Sequence, residues 1–267
     1  HLGTKHTQIV VSENDFFNAI PDVIKSIESY DTTTVRASVG NYLISKYISE
    51  HSEAKVIFNG DGSDEVTGGY MYFHKAPGEK EFDVECNRLL DNIYLFDVLR
   101  SDKSISSNGL EPRTPFLDKE FVDTYMTLPI KLRYHPGRKQ CEKYLLRKAF
   151  SGKNLLPKEV LWRTKEAFSD GVSSQKKSWF EIIDEKISEK YGNKYDNSIF
   201  DDSMYKINPP TTKEQNYYRD LFESFYCSCG YILPYFWMPK FVEATDPSAR
   251  TLDVYKEQHY DLMERSL

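Results

Sequence analysis

Three acids within five residues, Asp61, Asp64 and Glu65, close the segment Val56-Ile57-Phe58-Asn59-Gly60-Asp61-Gly62-Ser63-Asp64-Glu65. Carboxylates this dense repel one another unless a cation, a phosphate-bound metal or an amine shares the site. Gly60 and Gly62 let the backbone approach a ligand closely and take positive φ. The same letters also fit an acidic turn that caps the next helix, with Ser63 or Asp64 as N-cap and Glu65 in the first turn. The local pattern does not separate the two readings, so the rest of the chain decides.

Thr32-Thr33-Thr34-Val35-Arg36 puts hydroxyls at a helix N-terminus with an arginine one turn in. Helix N–H groups and a guanidinium fork suit a carboxylate, and ordinary threonine capping beside a surface arginine is the competing account. Tyr72 to Pro77, with Lys75, and Trp162 to Gly171, with Lys165, each set a cation among aromatic and turn residues. Such a lysine can be held over phosphates, although lone lysines are commonly solvated. Gly109 to Asp118 reads as a stiff connector in which Arg113 pairs with Asp118. His74 has no partners at triad spacing, and no His/Cys pattern of a metal site occurs. A metal would therefore be Mg²⁺ on carboxylates and phosphates.

These residues need a scaffold. The apolar run ending at Phe58, bounded by glycine, predicts a buried parallel strand from Lys55 to Phe58 that delivers the acidic loop to a sheet edge, where open α/β sheets bind ligands. Gln8 to Val11 is a short β-branched run, and Ser12-Glu13-Asn14-Asp15 caps a helix over Phe16 to Tyr30, interrupted at Pro21. A second helix opens at Asp31 and closes near His51. Strand, helices, strand, glycine-rich loop and helix follow the grammar of a parallel sheet with crossover helices. Beyond Pro77 the pattern turns helical, over Phe82 to Leu99, Phe121 to Leu128, Glu142 to Phe150 and Trp179 to Tyr191, without another strong strand. Gly192 to Pro210 reads as a mobile loop. The picture is the later half of a small parallel sheet and a large helical region, packed as one unit over residues 1–267.

Composition narrows the classes. A chain of 267 residues with 39% hydrophobic and 28% charged residues is expected to be globular and soluble, and no apolar run approaches the roughly 18 residues of a membrane span. With 35 Lys plus Arg against 41 Asp plus Glu, the net charge of -6 argues against general nucleic-acid binding, so lysines placed locally must meet any anionic ligand. Four scattered cysteines fit reduced thiols and a cytoplasmic protein. His1 to His6 shows no signal-peptide pattern.

Taken in order, Tyr30 to Ser38, Gly60 to Glu65, Tyr72 to Pro77, Arg113 to Asp118, Lys165 to Gly171 and Ala244 to Arg250 resemble the synthetase domain of glutamine-dependent asparagine synthetases, of the eukaryotic type, nearly end to end. The resemblance implies an adenine-nucleotide α-hydrolase-like α/β fold (a PP-loop ATP pyrophosphatase) in which ATP activates aspartate as β-aspartyl-AMP and ammonia displaces AMP. Carried over residue by residue, Asn59, Gly60, Asp64, Lys75 and Lys165 meet ATP and pyrophosphate, with Asp64 on Mg²⁺. Thr33, Thr34 and Arg36 read the aspartate substrate. Asp61 takes a proton from ammonium, and Lys75 and Lys165 stabilise the leaving pyrophosphate. Asn59 and Asp61 stand where the family has Ser and Glu, which shortens the proposed base by about one methylene. The family's Ser-Gly-Gly-Leu-Asp-Ser loop, its first strand and its amino-terminal glutaminase domain, which would supply ammonia from glutamine, do not occur. The expectation is a piece of a longer enzyme, inactive alone, with an exposed sheet edge and weak ATP affinity; a homodimer is left open. A non-catalytic scaffold and a β-lactam-synthetase-like adenylating enzyme are the alternatives, and the Thr-Thr-x-Arg block speaks against the latter.

Overall fold

The structure, a computed structural model, describes residues 1–138, 140–171, 177–196 and 205–256. Helix α1 (Glu13–Ile27) begins with a reciprocal cap in which the Ser12 hydroxyl accepts from the Asp15 N–H at 3.1 Å and the Asp15 carboxylate accepts from the Ser12 N–H at 3.0 Å. Phe16, Phe17, Ala19, Ile20, Val23, Ile24 and Ile27 then fall on one face at helical spacing and are buried. The helix runs through Pro21 where the sequence predicts an interruption. Ile20, Val23 and Ile24 beside it are 0% exposed, and burying such side chains at roughly 1.5–3 kcal/mol each outweighs the ~3 kcal/mol that proline costs a helix.

Helix α2 (Thr32–His51) starts at Asp31, whose Oδ2 accepts from the Thr34 N–H and the Thr34 hydroxyl, each at 2.8 Å. Its Oδ1 accepts from the Trp237 N–H at 2.7 Å, tying the cap to a segment about 200 residues away. Strand β1 (Val56–Phe58) pairs in parallel with β2 (Glu111–Arg113), in the register Val56↔Glu111, Ile57↔Pro112 and Phe58↔Arg113. Between them lie α3 (Ser63–Thr67), α4 (Glu79–Asp91) and α5 (Asp97–Ser106). After β2 come α6 (Lys119–Thr127), α7 (Ile130–Arg133), α8 (Tyr144–Phe150), α9 (Lys158–Leu161), α10 (Phe168–Gly171), α11 (Trp179–Tyr191) and α12 (Lys213–Phe225). Among the described residues the architecture is a small parallel sheet with mostly helical surroundings. No described helix is long and apolar enough to cross a membrane.

Several sequence expectations change. Gln8 to Val11 forms no strand; it lies along a groove of about 890 Å³ beside α2, with Val10 86% exposed, because no described strand pairs with it. β1 is parallel as expected but not buried: in a sheet of two described strands, Phe58 is 76% exposed. The expected connector from Gly109 to Asp118 contains β2, and Arg113 pairs with Glu111 at 2.5 Å while Asp118 caps α6. The helix expected over Phe82 to Leu99 breaks at Asn92 and Phe96 into α4, a 3₁₀ turn and α5. Helix α12 is absent from the sequence expectations, yet it buries Tyr217, Tyr218 and Phe222. Within the expected mobile loop, Gly192–Tyr195 is a 3₁₀ turn and the buried Tyr195 donates to Asp220 at 2.7 Å; residues 197–204 lie outside the described residues.

Candidate active site

β1 ends where the Asn59 N–H donates to the Arg113 carbonyl at 3.0 Å, and the chain turns through Gly62 at φ +86° into α3. A Cβ on Gly62 would also stand 2.3 Å from Leu117 Cγ, so both backbone and space require glycine. Gly62, and neither Ser63 nor Asp64, occupies the N-cap. The turn presents Asp64 to two lysines: Lys143 Nζ lies 3.0 Å from Oδ1 and Lys165 Nζ 3.4 Å from Oδ2. Lys143 also donates to the Ser63 hydroxyl at 2.8 Å, and Lys165 to the Glu166 carbonyl at 3.1 Å. Burial would raise the Asp64 carboxyl, but the charges of Lys143 and Lys165 outweigh it and bring it down to about 2. The trio thus carries one surplus positive charge, and its side chains are 15–18% exposed.

The fit is tight. A Cβ on Gly69 would stand 2.3 Å from Asp64 Oδ1 and 2.5 Å from Lys143 Cε, so the lysine stem passes where only a hydrogen leaves room. Behind Asp64, the Tyr70 hydroxyl donates to Glu65 and lies 3.2 Å from Asp97 Oδ2. Burial, and then the charge of Asp97, push the Glu65 carboxyl well above the usual carboxylate range. Arg100 bridges Asp97, at 2.5 Å, to Asp61, at 3.2 Å. The Ser101 hydroxyl donates to the other Asp61 oxygen, and the Asn59 amide reaches Ser101 Oγ at 3.3 Å.

Alongside Lys165 opens a cavity of about 60 Å³, lined among others by Thr33, Arg36, Asp170, Trp237 and Ser248. The Thr33 hydroxyl is buried without a hydrogen-bond partner. A buried hydroxyl left unpaired costs free energy, so this one marks a place for a ligand or water group. The Ser248 hydroxyl donates to Asp170 at 3.0 Å, and burial raises the Asp170 carboxyl. Arg36 is engaged on two edges: Nε and Nη2 donate to Glu214, and Nη1 and Nη2 donate to Asp246 at 2.8 and 2.7 Å.

The sequence pattern of the family described as "Asparagine synthase" matches residues 1–84 and 75–229. The chain belongs to the asparagine synthase family. It is 50% identical over 258 residues to an "Asparagine synthetase [glutamine-hydrolyzing]" of Gallus gallus, covering 96% of this chain and 45% of that protein. The protein of that name from Homo sapiens is 48% identical over 258 residues, and that from Mus musculus 47% over 256, with the same coverage. The chain therefore spans somewhat less than half the length of these relatives.

Of the residues that the sequence marks in this asparagine synthase chain, Asp64 and Lys165 come together in one ion-paired trio, and Asn59 and Asp61 are joined through Ser101. Gly60 is exposed, with open space beside its α-carbon. Lys75 is exposed at the end of the 3₁₀ turn Met71–Lys75, and among the described residues it joins no ion pair. The aspartate-reading block divides three ways: Thr33 faces the cavity, the Thr34 hydroxyl is taken by the Asp31 cap, and Arg36 is held by Glu214 and Asp246. Sequence reasoning missed Lys143, Arg100, Glu214 and Asp246. Lys143 sits in a stretch expected to be helical throughout, yet it precedes α8 at φ +57°, a left-handed conformation uncommon for lysine that the letters do not announce.

Proposed function

We propose that this chain carries the ligase chemistry of its family, the ATP-dependent conversion of L-aspartate to L-asparagine, on a PP-loop type of α/β fold. The observation that carries the reading is the surplus positive charge at Asp64, where two lysines face one carboxylate beside a cavity containing an unpaired hydroxyl. An anion of the size and charge of pyrophosphate suits that excess. In the proposed reaction an oxygen of the aspartate β-carboxylate attacks the α-phosphorus of ATP, and the bond to pyrophosphate breaks. Lys165 and Lys143 take up charge on the departing pyrophosphate, with Lys75 adding charge at the rim. Ammonia then attacks the β-carbonyl carbon of the aspartyl-AMP, and AMP leaves.

Asp61, oriented by Arg100 and Ser101, accepts the proton that ammonium loses as it becomes a nucleophile. Asn59 and Gly60 lie on the ATP side at the end of β1. Thr33 offers its hydroxyl to the aspartate substrate, and Thr34 holds the helix end that presents it. A substrate carboxylate reaches the outer edge of Arg36 by taking the place that Asp246 now occupies. No group of three or more potential metal-binding side chains exists among the described residues. Asp64 alone fits a Mg²⁺ that arrives on phosphates and needs one or two protein carboxylates; there it would neutralise phosphate charge. The four free cysteines suit a reducing, cytoplasmic setting. In a protein of the relatives' length, a glutaminase domain would release the ammonia from glutamine.

The test is pyrophosphate release from ATP, with and without L-aspartate and with ammonium chloride as the nitrogen source, in a polypeptide of the relatives' length that contains this chain. Aspartate-dependent release with asparagine formed supports the reading. A folded protein that releases none overturns it in favour of a non-catalytic scaffold.

A further inference from the structure

Lys165 lies in Arg163 to Ala167, a stretch with no helix or strand of its own to fix it. Backbone carbonyls without ladder partners take their hydrogen bonds from side chains or water. Arg147 supplies them: its Nη1 donates to the Leu161 carbonyl at 2.7 Å and to the Arg163 carbonyl at 2.9 Å. Arg147 is itself held by Glu142, with Nη2 donating to Oε1 at 2.7 Å and Nε to the Glu142 carbonyl at 3.0 Å. Glu142 is 0% exposed, and its second oxygen faces His74 Nε2 at 3.6 Å. The residue after Glu142 is Lys143, whose left-handed backbone turns its side chain to Asp64.

We infer that the Glu142–Arg147 pair is a positioning clamp that holds Lys143 and Lys165 on opposite oxygens of Asp64. The inference rests on the proposed pyrophosphate site and assigns the residues that assemble it. One guanidinium joins the backbone that leads to Lys165 and the residue beside Lys143, and its planar fork is what permits four bonds at once. An ammonium in its place has neither the reach nor the directions to bridge two carbonyls and a carboxylate. Lys165 has a second anchor on its other side, where Glu166 accepts from Arg250 at 2.7 Å and from Tyr255 at 2.8 Å. The clamp therefore governs where Lys165 points rather than whether its segment stays attached.

The experiment is competitive amine labelling of the 267-residue chain, read lysine by lysine by mass spectrometry, with and without inorganic pyrophosphate. In Arg147→Ala, labelling of Lys143 and Lys165 is expected to rise about fivefold as their pairs to Asp64 are lost, with the exposed Lys80 and Lys119 unchanged as internal references. Arg147→Lys is expected to resemble the alanine variant, whereas a residue acting only through its charge would be rescued by lysine. Unchanged labelling at both lysines in either folded variant overturns the clamp, and should Arg147→Ala not fold, Arg147→Lys decides in its place. Pyrophosphate is expected to protect Lys143 and Lys165 in the parent chain and to lose that effect in the variants. Absence of protection in the parent chain, with the labelling rise intact, tells against the pyrophosphate site and leaves the clamp standing.

Discussion

Two clusters of opposite design lie close together in this protein. At Arg36 one cation faces two carboxylates, Glu214 and Asp246, and the guanidinium is 6% exposed. At Asp64 one carboxylate faces two lysines, and all three side chains retain 15–18% exposure. The first cluster is closed, with most of its donors already bonded between α2, α12 and the segment around Asp246. The second is open, and its lysines keep spare donors with a surplus positive charge. The first carries a surplus negative charge but has its guanidinium buried and hydrogen-bonded on two edges, which holds elements in register, whereas the second keeps its surplus positive charge near solvent, ready for a counter-charge. The sequence marks both as ligand-reading, and only their surroundings tell them apart.

The largest effect is expected from Arg36→Met, which strands the buried Glu214 and the partly exposed Asp246 and should lower unfolding free energy by about 3 kcal/mol. Urea denaturation at pH 7 measures it, and a loss below about 1 kcal/mol would erase the distinction between the clusters. Gly69→Ala comes next. The added methyl must displace Asp64 or Lys143, with an expected cost of about 1–3 kcal/mol in the same assay.

Lys165→Met is expected to be milder at pH 7, about 1 kcal/mol, and to show itself in acid. The folded Asp64 carboxyl sits at about 2, below its unfolded value near 3.8. Its stabilisation is therefore fully present above pH 3.8 and is lost as pH falls toward 2. Removing one lysine moves the folded value upward and narrows that window, which a carboxyl NMR titration of Asp64 reads directly. His135 sets a separate acid limit of opposite chemistry. Burial, and then the nearby His74, lower its ring from 6.5 to about 3, so its neutral form favours the fold above pH 6.5 and that contribution is lost as pH falls toward 3. His135→Phe should flatten the stability profile across that interval. The smallest effect belongs to Phe58→Thr: at 76% exposure the ring is hardly packed, and stability should change by no more than about 0.5 kcal/mol.

Legibility followed the range of the forces involved. α1 and α11 were readable because their signals are local, with the Ser12–Asp15 and Ser178–Glu181 caps set beside apolar residues at helical spacing. β2 was not readable, since three residues with a central proline form a strand only through the partner they meet in β1. α12 carries a Thr212 cap and the apolar positions Tyr217, Tyr218 and Phe222, a signal present in the letters but masked by its many polar residues. Asp64 and Lys165 were legible as residue types in a suggestive setting. The resemblance assigned both to pyrophosphate, but their direct ion pair across about 100 residues was not legible.

By itself the sequence determined the acidic turn after an apolar strand, the capped helices and the family to which the chain belongs, because each is written in neighbouring residues or in ordered blocks. Tertiary structure alone decided which cations reach Asp64, that Lys143 is one of them, and that Arg36 is bonded to Glu214 and Asp246. Charge pairing depends on distances of about 3 Å between side chains far apart along the chain, and those distances exist only after the core has packed.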